Sequence, residues 1–403
     1  MKLSACALML CSISACSDND SPDTPATDKQ EEILKPIVED YVNLTVVPTY
    51  EALADATIRL AELCDAMCEA GPSGLTTAQI KAAGDQWIAA RKYWELSEAW
   101  LYGPADIYSI DPHIDTWPLD KTAMNAMLNN PAQMALISDR ESAANFVNNL
   151  GQGLLGFHAI EYMLFEPANT TTDTTSPRPA SRFTQNELYY LAAVADDLRN
   201  CCVRLEASWT DESKLSTAKR ELLENAEMSY DINYGSYMKQ AGQAGSIYRS
   251  YAAAIQEILV GAQDIADEVG NQKIGNPIGS GTEADPDYIE SPYALNSITD
   301  FTDNIRSVRN AYMGYQTTDN DGETYIKPVG HSISGYIRTI DPQLDSRVRE
   351  AIDNAIACIE AMREPFASTS QQASYREINL KAVDACNDLM DILDEVIEAI
   401  QNN

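Results

Sequence analysis

The sequence predicts an all-α protein with helical bundles as the expected packing, on three observations. Apolar residues recur at three- and four-residue spacing through most of the 403 residues, sustained alternation at spacing two is hard to find, and Gly, Pro and Asx clusters cut the chain into helix-length pieces. Helices are expected at roughly 31–70, 76–102, 120–136, 139–165, 184–208, 213–268, 293–315, 328–339, 342–364 and 371–401. The last of these shows the rule: Ile378, Ala382, Ala385, Leu389, Ile392, Val396 and Ile400 make one apolar stripe, with Glu377, Asp384, Asp391 and Glu398 turned away.

Ahead of the first helix stands a segment built for export. Residues 1–15 carry Lys2 and then a largely apolar or small-residue stretch, the make-up of a short secretory signal and too short for a membrane span. It ends in Ile13-Ser14-Ala15-Cys16, which resembles a lipobox, so Cys16 is the expected site of lipidation and the first residue of the mature chain. Ser17-Asp18-Asn19-Asp20 resembles an export tag that carries lipoproteins to the cell surface, and residues 16–31 read as a flexible acidic tether. These features place the protein in the outer membrane, held by the lipid on Cys16, facing either the cell surface or the periplasm.

Charge and cysteine content narrow the partners. With 28 basic and 61 acidic residues the net charge is −33, and loss of the leader removes only Lys2. Such a surface repels phosphate backbones, which argues against nucleic acid, and attracts cations. Solubility outside the cell would account for much of the same charge. Six cysteines remain after Cys16: Cys64, Cys68, Cys201, Cys202, Cys358 and Cys386. Their even number permits bridges, although small buried hydrophobes are the favoured reading, and no CxxC spacing suggests a structural zinc site.

Breaks fall at Ala70-Gly71-Pro72-Ser73-Gly74, in the Thr-rich run from Asn169 to Pro179, and in the polar stretch from Gly270 to Pro286. The length allows two domains, with a division expected near residue 235, giving 32–235 and 236–403. Asp319-Asn320-Asp321-Gly322-Glu323 lacks the remaining ligand spacing of an EF-hand and reads as a surface turn.

Chemistry concentrates where polar groups interrupt apolar faces. If residues 139–165 form one helix, Val147, Leu150, Leu154 and Phe165 share a stripe into which His158 and Glu161 fall about 60° apart. A buried imidazole and a buried carboxylate each need a partner, either one another or a cation between them. Gly151, Gly153 and Gly156 each weaken a helix interior by roughly 1 kcal/mol, which implies a close approach to that backbone. In the preceding stretch Ile80, Trp87, Arg91, Trp94, Glu98 and Leu101 line one face, so Arg91 and Glu98 interrupt another core stripe. A segment dense in Asp106, Asp111, His113, Asp115, Trp117, Pro118 and Asp120 follows, readable as a loop over a site. The HxxE pair fails the zincin pattern, because Ala159 stands where that motif needs its Glu and Tyr162 where it needs a second His.

Gly156-Phe157-His158-Ala159-Ile160-Glu161 resembles the GxHxxE motif of the imelysin-like family of bacterial lipoproteins and periplasmic proteins, which includes an iron-regulated protein and a reported insulin-cleaving membrane protease. Trp87 to Pro104, with Arg91 and Ser97-Glu98, resembles it too, as do Ile114-Asp115-Thr116-Trp117-Pro118-Leu119-Asp120 and Glu290-Ser291-Pro292-Tyr293 with Asn296-Ser297. The resemblance implies two packed helical-bundle domains, the GxHxxE segment near their interface, and a role linked to iron. Ala294 departs from the pattern, standing where many relatives have a Ser.

Three functions compete. The leading one is an accessory of iron uptake whose metal site is built from His158 and Glu161, with Glu98, Asp120 and Glu290 as added oxygen ligands and outer-membrane iron-uptake components as partners. Arg91, Trp117 and Ser291 would support those ligands and Gly156 would allow close approach; Arg91 would orient Glu98 or make a plain salt bridge. Such a donor set suits hard or borderline cations, iron first and zinc as the alternative. The second is a metallopeptidase using His158 and Glu161, although the chain has only His113, His158 and His331 to build from. The third is a surface module for haem or siderophore, with Trp87, Trp94, Trp117 and Tyr162 as stacking surfaces. A binding role is favoured over an enzymatic one.

Overall fold

The computed structural model describes residues 28–166, 174–281, 283–320, 323–328 and 331–403. The leader, Cys16, the tether up to residue 27 and residues 167–173 of the Thr-rich run lie outside the described residues, as do 321–322 of the expected surface turn.

Helix α1 (Asp28–Asp40) continues through a π-helical stretch, Tyr41–Val46, into α2 (Val47–Gly74). Pro48, at the start of α2, has no N–H to donate to the preceding turn, and the chain is π-helical just ahead of it without the helix stopping. Helix α3 (Thr77–Glu95) opens with a capping box between Thr76 and Gln79. Helix α4 (Gly156–Leu164) and α5 (Gln185–Trp209), the latter with a capping box between Thr184 and Glu187, complete a bundle in which α5 packs on α2 and α4, and α3 on α2 and α4. In the second bundle α6 (Tyr251–Asp267) packs on α7 (Ser297–Met313) and α9 (Arg376–Gln401), with α8 (Pro342–Glu360) against α7 and α9. The bundles meet where α3 touches α7 and where the short turn Glu98–Trp100 touches α6 and α7. One large cluster of buried apolar residues runs through both bundles, beside a small second one around Ala54, Val203 and Leu223, so the seam is continuous core.

The all-α reading holds, with one addition: β1 (Tyr315–Asn320) and β2 (Glu323–Pro328) pair as an antiparallel hairpin. Where one helix was expected over 139–165 the chain makes three short pieces, Ala143–Val147, Gln152–Leu154 and α4. The break before α4 is local: Gly156 adopts φ 70, incompatible with a continuous helix. The expected helix over 213–268 is likewise broken, into Thr217–Asn225, Tyr234–Lys239 and α6, with Gly242 and Gly245 at positive φ and Ser250 capping α6. Pro131 divides the one expected over 120–136. In α9 the expected stripe points inward, with Ala382, Ala385, Leu389, Val396 and Ile400 buried and Ile378 and Ile392 half-buried. All six described cysteines are unbridged, and all but Cys358 are buried. Among the described residues no helix is long and apolar enough to cross a membrane.

Candidate metal centre

Besides α4 and the stretch that carries Lys273, three separate stretches deliver charged side chains to the seam between the bundles. Helix α3 contributes Arg91 and Glu95 one turn apart, because the same spacing that aligns Ile80, Trp87 and Trp94 on the buried face carries these two inward. The segment after it supplies Asp115, just beyond the helical turn Ile110–Ile114. The 290–300 region supplies Glu290, Ser291 and Asp300, with Ser291 at φ 49 and Leu295 at φ 57 bending the backbone back toward α4. Gly156 begins α4 so close to this assembly that a Cβ there would run into the backbone carbonyl of Ile114. The motif glycine therefore lets the Asp115 and His158 segments touch, which answers the expectation of a close backbone approach.

His158 and Glu161 both point inward, 2 % and 0 % exposed. His158 Nδ1 lies 3.3 Å from Glu161 Oε2, while Glu161 Oε1 accepts the backbone N–H groups of Tyr293 and Ala294, each at 2.8 Å. The carboxylate thus fixes the imidazole and the 290–296 loop together. Its oxygens are engaged in doing so, and Glu161 orients the ring where the sequence reading had it as a ligand. Recognition of Glu161 at residue 294 is through the backbone, so Ala294 costs this contact nothing. The opposite ring nitrogen, Nε2, stands 3.2 Å from Asp115 Oδ1 with no well-aligned hydrogen bond, and Glu290 Oε2 is likewise buried without one. One donor atom each from Asp115, His158 and Glu290 lie within 4.8 Å of one another, all three residues buried.

Arg91 is wholly buried and is the hub of the carboxylates. Its Nε is 2.5 Å from Glu95 Oε1, Nη2 is 2.6 Å from Glu290 Oε1, Nη1 pairs with Asp115, and Asp300 lies at 3.8 Å. Glu98 is absent from that set, so of the two roles expected for Arg91 the salt bridge is the one observed and the orienting of Glu98 is not: α3 ends at Glu95, and Glu98 sits in the following turn beside Lys273, in a group with Glu95 and Asp115 that adjoins the first through Asp115. Asp120 is separate. It is exposed and caps the helix Lys121–Leu128 by accepting from the Ala123 N–H at 2.8 Å, a local backbone role that leaves it away from His158. Trp117 packs its ring 6.2 Å from that of His158, and Ser291 is buried beside Asp300.

Sequence reasoning named no role for Lys273, which is wholly buried, 3.1 Å from Glu290 Oε1, 3.7 Å from Glu95 and 5.2 Å from the centre of the Trp117 ring. It lies in a second π stretch, Glu268–Ile274, within what reads in the sequence as a polar linker, and no local pattern marks it. Asp115 was visible as one of several acids; Glu95 was discoverable as the i+4 partner of Arg91.

The electrostatics follow from the count. Glu95, Glu98, Asp115, Glu161, Glu290 and Asp300 are all buried, against the permanent cations Arg91 and Lys273. Burial opposes the charge on Asp115, yet Arg91 and His158 hold it well below the usual carboxylate range. Burial likewise disfavours the imidazolium, but Asp115 and Glu161 outweigh it and raise His158 to about 9. Burial lifts Glu95 and Glu98 well above the usual carboxylate range despite the opposing pull of Lys273, and it lifts Asp300 to about 7 despite Arg91. The cluster therefore holds protons that a cation would displace. A cavity of about 290 Å³ lined by Trp117, His158, Glu161 and Tyr293 leads to it. Nε2 and Glu290 Oε2, buried and without hydrogen bonds, fit a cation of hard or borderline character.

Comparison with known proteins agrees in fold and sequence. Residues 46–393 match the family model described as Imelysin. The chain is 28 % identical over 280 residues to iron-regulated protein A of Synechococcus elongatus, an alignment covering 70 % of this chain and 64 % of that protein, just under two thirds of the relative's length. A crystal structure described as that of an iron-regulated protein A precursor from Parabacteroides distasonis is similar with TM-score 0.73 and 27 % identity, covering 92 % of this chain and 95 % of the other. An imelysin-like protein from Psychrobacter arcticum 273-4, at 13 % identity and TM-score 0.58 over 90 % and 93 % of the two chains, shares the fold.

Proposed function

The chain belongs to the imelysin family, and on that premise we propose that it is a cell-envelope lipoprotein that binds a metal ion, iron in preference to zinc, as an accessory of iron uptake. The observation that carries the reading is that one donor atom each of Asp115, His158 and Glu290 lie within 4.8 Å of one another in the buried seam, where His158 Nε2 and Glu290 Oε2 have no hydrogen-bond partner. In this arrangement Asp115, His158 and Glu290 are the donors, Glu161 holds the ring, and Arg91 and Lys273 hold the carboxylates. A bound cation would offset the surplus of buried negative charge. The relative from Synechococcus is named an iron-regulated protein, which favours iron. The leader and Cys16 support anchoring in the outer membrane, and that placement points to outer-membrane iron-uptake components as partners.

A peptidase reading gains less from this geometry, because both Glu161 oxygens face donors and none is free to activate water. The cavity beside His158, about 290 Å³, is at the small end for an organic ligand such as haem. The test is metal analysis of the mature protein purified without tag or added metal, alongside His158→Ala. About one iron per chain, lost in the variant, is the expected result. Equal metal in both proteins would overturn the site, and chelator-sensitive cleavage of protein substrates would restore the peptidase reading.

A further inference from the structure

Glu98 also lines a cavity of about 380 Å³, larger than the one beside His158, whose lining includes Asp106, Asp111, Asp264 and Glu268 and no Lys, Arg or His. Its five acids come from three pieces of chain. Glu98 belongs to the short turn after α3; Asp106 and Asp111 follow it; Asp264 and Glu268 stand one turn apart at the end of α6 and the start of the π stretch. They are graded by depth. Asp106 and Asp264 are exposed at the rim, Asp111 and Glu268 are half-buried, and Glu98 is 4 % exposed on the floor. Gly261 makes the cavity wall tight, because a Cβ there would come within 2.5 Å of the Ala99 carbonyl oxygen.

An acidic hollow could be no more than a solvated surface, but its floor argues otherwise. Glu98 Oε1 is buried without a hydrogen-bond partner, and the nearest positive charge, Lys273 Nζ, is 4.0 Å away and already 3.1 Å from Glu290. A carboxylate in that position lacks the hydrogen bonds that ordinarily accompany burial. We propose that this cavity is a second cation site, adjoining the one built on His158 through Asp115, and that its all-oxygen lining selects a hard divalent cation such as Mn²⁺ or Ca²⁺. Carboxylate oxygens without imidazole are the donor set such ions favour. Lys273 is shared by the two sites, 3.9 Å from Glu268 of the cavity and 3.1 Å from Glu290 of the His158 site.

The test is titration of the chelator-stripped mature protein with Mn²⁺ at physiological salt, counting bound ions by electron paramagnetic resonance. Three variants accompany the wild type: the rim pair Asp106→Asn/Asp264→Asn, His158→Ala, and Asp384→Asn/Asp388→Asn, which removes the same charge from an exposed face of α9. Two ions per chain are expected in the wild type. The rim pair should weaken one by at least tenfold, His158→Ala should weaken the other, and the α9 pair should change neither. Equal weakening by the rim pair and the α9 pair would reduce the cavity to general surface charge and overturn the proposal. A single ion abolished by His158→Ala alone would overturn it while leaving the His158 site standing; an ion sensitive to the rim pair alone would sink the His158 site instead.

Discussion

Helices α3 and α9 both run through the core, yet they are buried on opposite principles. The inward face of α9 is apolar at Ala382, Ala385, Leu389, Val396 and Ile400, and its carboxylates Asp384, Asp391 and Glu398 stay exposed. The inward face of α3 carries Trp87 and Trp94 but also Arg91 and Glu95, both with fully buried side chains, Arg91 paired with Asp115 and Glu290 and Glu95 with Asn304 and Lys273 from distant parts of the chain. Burial on α9 stabilises in proportion to apolar area. Burial on α3 costs desolvation that the ion pairs must offset, and a hydrophobic replacement of such a cluster is often as stable. The difference teaches that α9 is explained by folding alone, whereas the charges of α3 call for a further reason, which the proposed cation sites would supply.

The strongest way to break this contrast is to remove the hub. Arg91→Met leaves Glu95, Asp115, Glu290 and Asp300 without their shared cation, and should destabilise by about 3–5 kcal/mol. Leu389→Ala on α9 should cost about 2–5 kcal/mol by creating a cavity. Urea unfolding measures both, and only the Arg91 loss should be relieved by acid, which protonates the stranded carboxylates. If acid rescues both variants alike, the two helices do not differ in kind.

A smaller effect sharpens the contrast through pH. His158 sits at about 9 in the folded chain against roughly 6.5 unfolded, so its stabilisation is complete below pH 6.5 and is lost as pH rises through 9. In the chelator-stripped protein this amounts to about 3 kcal/mol. His158→Gln should flatten the decline in melting temperature over that window, and an unchanged slope would show that the imidazole is not charged in the folded state. The smallest effect concerns Asp120: Asp120→Ala should cost about 1 kcal/mol as a lost helix cap. Its metal content should match the wild type, since a drop would return Asp120 to the site.

Several features were legible because they depend on neighbours in sequence. The helical class, the α9 stripe and the inward direction of His158 and Glu161 follow from spacing and residue type; the close approach expected at Gly151, Gly153 and Gly156 alike occurs at Gly156, while a Cβ at Gly151 would meet nothing and one at Gly153 only ordinary contacts. The breaks at Gly156 and over 226–250 were less so, since a periodic pattern continues across a glycine whether or not the helix does. The resemblance carried by Gly156 to Glu161 reached the family and the two-bundle architecture. Which carboxylate meets His158 did not follow: Asp115 and Asp120 are both acids of one short segment, and only the turn Ile110–Ile114 and the capping of Lys121–Leu128 separate a buried partner from an exposed cap.

By itself, then, the sequence determined the elements and the fact that charge must enter the core, because periodicity and burial cost are properties of single segments. The tertiary structure decided the partners. Glu290 lies 199 residues from Arg91 along the chain and Tyr293 132 residues from Glu161, and only the docking of the two bundles brings them together. Lys273 and the acidic hollow behind Glu98 belong to the same class, since a pattern within one helix carries no information about which side chain of another helix will face it.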